Sequence, residues 1–166
     1  MSEILRSPIT NNAVMLIPRN GSHSLAISAM RTFWPDIAIS DESHPATFFG
    51  EEEWWNGANQ NVAIVVRNPI ERFRSMCAHR PQKTLEEHLD NPVYGPLPSG
   101  NFVRYFRFED QLNEAATWLG LPTPLPKEDA TDEANKPILT IEQEIKVREI
   151  YANDIKLWES LQINNP

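Results

Sequence analysis

The chain has one cysteine, Cys77, among its 166 residues. A single thiol excludes a disulfide framework and a thiolate metal cluster, and it fits a reducing interior, so a cytoplasmic location is expected. No run of 18 apolar residues occurs, and the start M-S-E-I-L-R-S-P has no signal-peptide core; no membrane partner is expected. Positive charge is short as well. The formal net charge is −8, which argues against nucleic acid as the main partner. Residues 1–83 carry 8 Lys/Arg and 8 Asp/Glu, whereas residues 84–166 carry 7 and 15, so the deficit lies wholly in the second half. There is no G-K-[ST] and hence no Walker A loop, and no internal repeat is found.

Two stretches in the charge-balanced half stand out. Val62–Ser75 reads V-A-I-V-V-R-N-P-I-E-R-F-R-S: an apolar run ends in Arg67, breaks at Pro69 and continues as a basic helix. Ala13–Ser24 reads A-V-M-L-I-P-R-N-G-S-H-S, with the order strand, glycine turn, helix start. Backbone amides and the helix dipole make such a junction a place to hold an anion. Two of them in one chain point to a ligand with two separate anionic groups. Where a nucleoside triphosphatase commonly ends a neighbouring strand in an aspartate for Mg²⁺, this strand ends in Arg67. The site takes its anion directly, and no metal is expected.

The pattern along the chain predicts a strand at Ala13–Ile17, then a turn at Gly21 and a helix capped by Ser22 or Ser24 that runs to Phe33. Ile37–Ile39 reads as a short strand, and 40–61 as a polar loop holding Glu51–Glu53 and Trp54-Trp55. Val62–Val66 reads as the central strand. Asn68 caps the next helix, with Pro69 at its first position and Glu71 at capping-box distance. A helical piece is expected around Leu85–Leu89, a strand at Phe102–Phe108 and a helix at Glu109–Leu119. Leu121–Pro137, with four prolines, reads as an extended connector, and 140–161 as a helical stretch opened by a Thr140–Gln143 capping box with Ile141, Ile145, Ile150 and Leu157 on its apolar side. By length this is one domain, 1–166, and alternating strands and helices make it α/β with a mostly parallel sheet.

At this point the residues resemble a known family, the sulfotransferases that use 3′-phosphoadenylyl sulfate (PAPS). Their phosphosulfate loop reads P-[KR]-[ST]-G-[ST]-[ST], and P-R-N-G-S-H stands here in register. Their 3′-phosphate motif, R-N-P-x-x-R-x-x-S after an apolar strand, is matched at every defined position by R-N-P-I-E-R-F-R-S. Weaker similarity continues through Arg107–Asp110 and Tyr151–Asp154, so the resemblance spans about residues 13–158. It implies a compact P-loop-like, three-layer α/β domain whose central sheet is flanked by helices.

The resemblance also implies roles. Arg19 would neutralise the oxygen between phosphate and sulfate. Asn20, Gly21, Ser22, His23 and Ser24 would bind the 5′-phosphosulfate, although Asn20 and His23 depart from the family's small hydroxyl residues. Arg67 and Ser75 would bind the 3′-phosphate. The family places a base after its second strand; His44 is the choice, since an unperturbed pKa of about 6.5 suits a base near neutrality, and Glu42 is the rival. The implied function is transfer of a sulfuryl group from PAPS to a hydroxyl of a small-molecule or carbohydrate acceptor. The alternatives are a non-catalytic module that binds PAPS or adenosine bisphosphate, and a P-loop phosphotransferase.

The remaining polar residues have plainer readings. Arg72 and Arg74 are expected in solvent or paired with Glu71, His79 and His88 on the surface, and Cys77 as a small buried hydrophobe. Tyr151 and Asp154 read as structural, and Trp54-Trp55 as anchors of their loop.

Overall fold

The computed structural model describes residues 3–36, 61–89, 103–127 and 131–163. Among the described residues there are four strands: β1 (Glu3–Arg6), β2 (Asn12–Leu16), β3 (Asn61–Val66) and β4 (Val103–Arg107), of which β2 and β3 are short apolar runs. They make one sheet in the order β1-β2-β3-β4. β2, β3 and β4 run parallel, in registers such as Met15 opposite Ile64 and Val65 opposite Phe106; β1 is antiparallel to β2, with Leu5 opposite Val14. The chain is therefore mixed α/β with a mostly parallel sheet, as its pattern predicts.

The chain divides into two compact units: Met1–Val66 with Ser99–Asp129, and Arg67–Pro98 with Ala130–Pro166. The first holds the sheet with α1 (Ser22–Phe33) and α4 (Phe108–Leu119). One core joins Leu25, Ala26 and Ala29 of α1 and Ala115, Ala116 and Leu119 of α4 to Leu5, Val14, Ala63, Val65 and Phe106 of the sheet. Alanines at the helix contacts let backbone lie close to strand, and burial of this kind is the main favourable term in folding. β3 is buried at every position from Val62 to Val66, the signature of a strand with no solvent face.

β1 was not expected from its composition. It is held by a hairpin in which the Ser7 hydroxyl accepts from the backbone N–H of Ile9 and Thr10 at 3.3 and 3.0 Å, and the Ser7 N–H donates to the Asn12 carbonyl at 3.0 Å. A serine that satisfies turn amides locally is a recognised turn device, and S-P-I-T-N-N was the available signal.

The second unit is helical: α2 (Pro69–His79), α3 (Leu85–His88), a 3₁₀ turn at Glu133–Asn135, α5 (Ile141–Ile150) and α6 (Ala152–Ile163). Its core is Phe73, Cys77, Val147 and Tyr151, with Ile70, Met76, Leu85, Leu89, Leu139 and Ile150 packed against it. Cys77 is thus a buried hydrophobe, as read. The 140–161 stretch is two helices that meet at Tyr151; of its expected apolar side Ile150 packs on the core, but Ile141 and Ile145 do not. Val147 and Tyr151 are 1% exposed, whereas Ile141 is 80% and Ile145 52% exposed. The Thr140–Gln143 capping box is present, and a second joins Thr84 to Glu87. No helix among the described residues is long and apolar enough to cross a membrane. The expected strand at Ile37–Ile39 and the loop with Trp54-Trp55 lie outside the described residues.

Candidate functional site

The first loop leaves β2 through buried Ile17 and exposed Pro18. Arg19 then takes φ 67°, in the left-handed region. For a non-glycine residue that conformation costs about 1–2 kcal/mol. Asn20 is buried and ties the turn down twice: its N–H donates to the Ile17 carbonyl at 3.1 Å and its side-chain amide to the Val65 carbonyl at 2.7 Å. Gly21 is also left-handed, at φ 76°, and a Cβ there would stand 2.8 Å from Leu112 Cδ1. The left-handed backbone is what favours glycine here.

α1 begins at the next residue. Gly21 is its N-cap, so neither Ser22 nor Ser24 caps the helix as expected; there is no side-chain cap and no acidic residue in the first turn. Ser22 and His23 are half-buried, and Ser24 is buried. A helix start carries roughly half a positive charge and several amides with no partner inside the helix. With half-buried Arg19 beside it, this junction has the chemistry of an anion cradle.

The second segment follows β3. Half-buried Arg67 is the residue after Val66, and Asn68 caps α2 by accepting from the N–H of Ile70 at 3.0 Å and of Glu71 at 3.3 Å, with Pro69 in the first turn. Glu71 turns instead to Arg74, at 2.7 Å, and Lys136, at 3.3 Å. Arg74 also reaches Glu133 at 3.0 Å and donates from Nε to the Pro137 carbonyl at 2.9 Å. Its hydrogen bond to Glu71 raises the guanidinium pKa further. Lys136 completes the network by pairing with Glu133.

Ser75 is 1% exposed, and its hydroxyl lies 3.1 Å from that of Thr131. Arg72 is not in solvent: it is buried together with Tyr151 and Asp154. Burial raises the Tyr151 pKa, and the hydrogen bond and charge of Arg72 oppose that rise. His88 is buried too, because its Nε2 donates to the Arg80 carbonyl at 3.1 Å and its ring meets Phe73 edge-on. Both are corrections to a surface reading, and both replace solvent with a defined partner. At the end of β4, Arg107 is held by Asp110 through a fork of two hydrogen bonds, which lowers the Asp110 pKa and raises that of Arg107.

His44 and Glu42, the two candidates for the base, lie outside the described residues. Arg19, Asn20, Gly21, Ser22, His23 and Ser24 form one continuous turn and helix start in the first unit. Arg67 and Ser75 flank the first two turns of α2 in the second. Sequence reasoning missed Thr131 and Lys136. They sit in the connector, and no local pattern links residue 131 to residue 75.

What fold and site define is a mixed α/β protein with a four-stranded, mostly parallel sheet and an arginine-bearing turn at a helix start. No family model, curated protein or solved structure matches the chain.

Proposed function

We propose that this chain is a PAPS-dependent sulfotransferase with a compact P-loop-like, three-layer fold, acting on a hydroxyl of a small-molecule or carbohydrate acceptor. The observation that carries the reading is Arg19, held left-handed beside a helix start whose N-cap is a glycine and whose first turn has no acidic residue. Strain of that kind on a functional turn has its reason in what the side chain does. The R-N-P-x-x-R-x-x-S segment from Arg67 to Ser75 supplies the second anion contact.

In this reading each anionic end of the nucleotide has its own set of residues. The loop from Arg19 to Ser24 takes the 5′-phosphosulfate, and Arg67 with the Ser75 region takes the 3′-phosphate. The nucleotide supplies the sulfuryl group. Arg19 neutralises charge on the departing phosphate oxygen, fixed in place by the turn, and preorganised charge of this kind is often the largest catalytic term. His44, with Glu42 as rival, takes the acceptor hydroxyl's proton as the new O–S bond forms and the S–O bond to phosphate breaks. The arginines and loop amides provide the positive field that a metal provides in kinases.

A second reading, a module that binds the nucleotide without transfer, is favoured by Asn20. Its side chain faces the Val65 carbonyl, where the family carries a hydroxyl. The test of nucleotide identity is a thermal shift with adenosine 3′,5′-bisphosphate, AMP and ATP. The bisphosphate is expected to raise the melting temperature far more than either; equal shifts with AMP would remove the 3′-phosphate site and the reading with it.

A further inference from the structure

Resting on the sulfotransferase reading, we infer that the hydroxyl meeting the ribose 3′-phosphate is that of Thr131, and that Ser75, the motif's serine, holds it from behind. Ser75 is 1% exposed, on the buried side of α2. Its Oγ lies 3.1 Å from Thr131 Oγ1, and Thr131 is the more exposed of the pair. Of the two hydroxyl residues, Thr131 is therefore the one we assign to the phosphate. A hydroxyl carries one proton and two lone pairs, so Ser75 can direct the Thr131 hydroxyl by donating to it or accepting from it.

The segment that carries Thr131 is fixed well enough for this task. Glu133 is tied to Arg74 and Lys136, Lys136 to Glu71, and the Pro137 carbonyl to Arg74. The two carboxylates and two cations of this network cancel, so it sets no net negative charge beside the anion. Asp132, the other acid next to Thr131, accepts from the Ala134 N–H at 3.1 Å and caps the 3₁₀ turn. The network pins residues 133–137 to the same helix that carries Ser75, Thr131 meets that helix through Ser75 itself, and Arg67 lies one residue before that helix's cap. Both groups of the 3′-phosphate subsite, the arginine and the hydroxyl pair, thus belong to one unit.

The experiment is calorimetric titration of the full chain with adenosine 3′,5′-bisphosphate and with AMP, read as the ratio of the two dissociation constants. Wild type is expected to prefer the bisphosphate. Thr131→Val, which keeps the shape and removes the hydroxyl, is expected to cut that preference by about tenfold or more while AMP affinity stays put, since hydrogen bonds to charged groups are the strong ones. Thr131→Ser keeps the hydroxyl and should keep the preference. Ser75→Ala should lose no more than Thr131→Val, and the double variant no more than Thr131→Val alone, because both act through one contact. A wild type with equal affinities overturns the sulfotransferase reading itself. A wild-type preference that survives in Thr131→Val overturns the assignment of Thr131 alone. So does a preference lost in Ser75→Ala but kept in Thr131→Val, or lost equally in Thr131→Ser.

Discussion

The side-chain amide of Asn20 donates to the main-chain carbonyl of Val65 at 2.7 Å, and both groups are buried. One bond thus ties the turn after β2 to the last-but-one residue of β3, between two left-handed residues, Arg19 and Gly21. Asn20→Ala leaves the Val65 carbonyl without this donor, which costs about 1–3 kcal/mol. The expected outcome is a lower midpoint in urea together with weaker nucleotide binding. Unchanged stability would mean that the turn holds itself without the bond.

Arg19 and Gly21 should respond in opposite ways to substitution. Arg19→Gly removes left-handed strain of about 1–2 kcal/mol against a glycine entropy cost of about 0.5–1 kcal/mol. The fold should be unchanged or slightly more stable while nucleotide affinity falls. Gly21→Ala adds strain and drives a methyl to 2.8 Å from Leu112, so it should lose stability. A chain weakened by Arg19→Gly would show that the arginine serves the fold, contrary to its proposed role.

Arg67→Ala and His44→Ala separate binding from chemistry. In the proposed reading Arg67 would meet a phosphate that does not react, so its contact would be equal in ground and transition states and its loss should fall on affinity. His44, as the proposed base, would act only on the acceptor proton; its loss should leave affinity intact and reduce turnover by about 10²–10⁴-fold. Full activity in His44→Ala with loss in Glu42→Gln assigns the base to the glutamate.

Cys77 should be nearly inert in the native protein. Burial pushes its thiol pKa up to about 11, because the low-dielectric core disfavours the charged thiolate, and the thiolate is the reactive form. At pH 8 about one molecule in a thousand carries it. Labelling by a disulfide reagent should be slow at pH 8, faster as pH rises toward 11, and rapid at pH 8 once urea exposes the thiol. Rapid stoichiometric labelling of the folded chain at pH 8 would contradict the buried placement.

Much of this architecture was legible where the cause is local. β2 and β3 follow from short apolar runs, α2 from Asn68 and Pro69, and α5 from the Thr140 box; each signal acts within four residues. What escaped depends on partners far along the chain. Arg72 and His88 are buried because helices from other parts of the sequence close over α2. Val147, not Ile141 or Ile145, is the buried residue of α5, because it packs with Phe73 of α2 far along the chain. β1 is four residues long and bounded by charge, so only its pairing with β2 makes it a strand. In the candidate site, Arg19 and Gly21 were visible by spacing. The left-handed φ of Arg19, the inward turn of Asn20 and the meeting of Ser75 with Thr131 were not.

The central claim is tested most directly by offering sulfur-labelled PAPS and a panel of hydroxyl acceptors to the chain in EDTA. The account predicts label on an acceptor, an equal amount of adenosine 3′,5′-bisphosphate, and loss of both in Arg19→Gly. Tight nucleotide binding with no label transferred to any acceptor would contradict it in favour of the binding module. Strict dependence on Mg²⁺, with transfer from ATP, would contradict it in favour of a phosphotransferase.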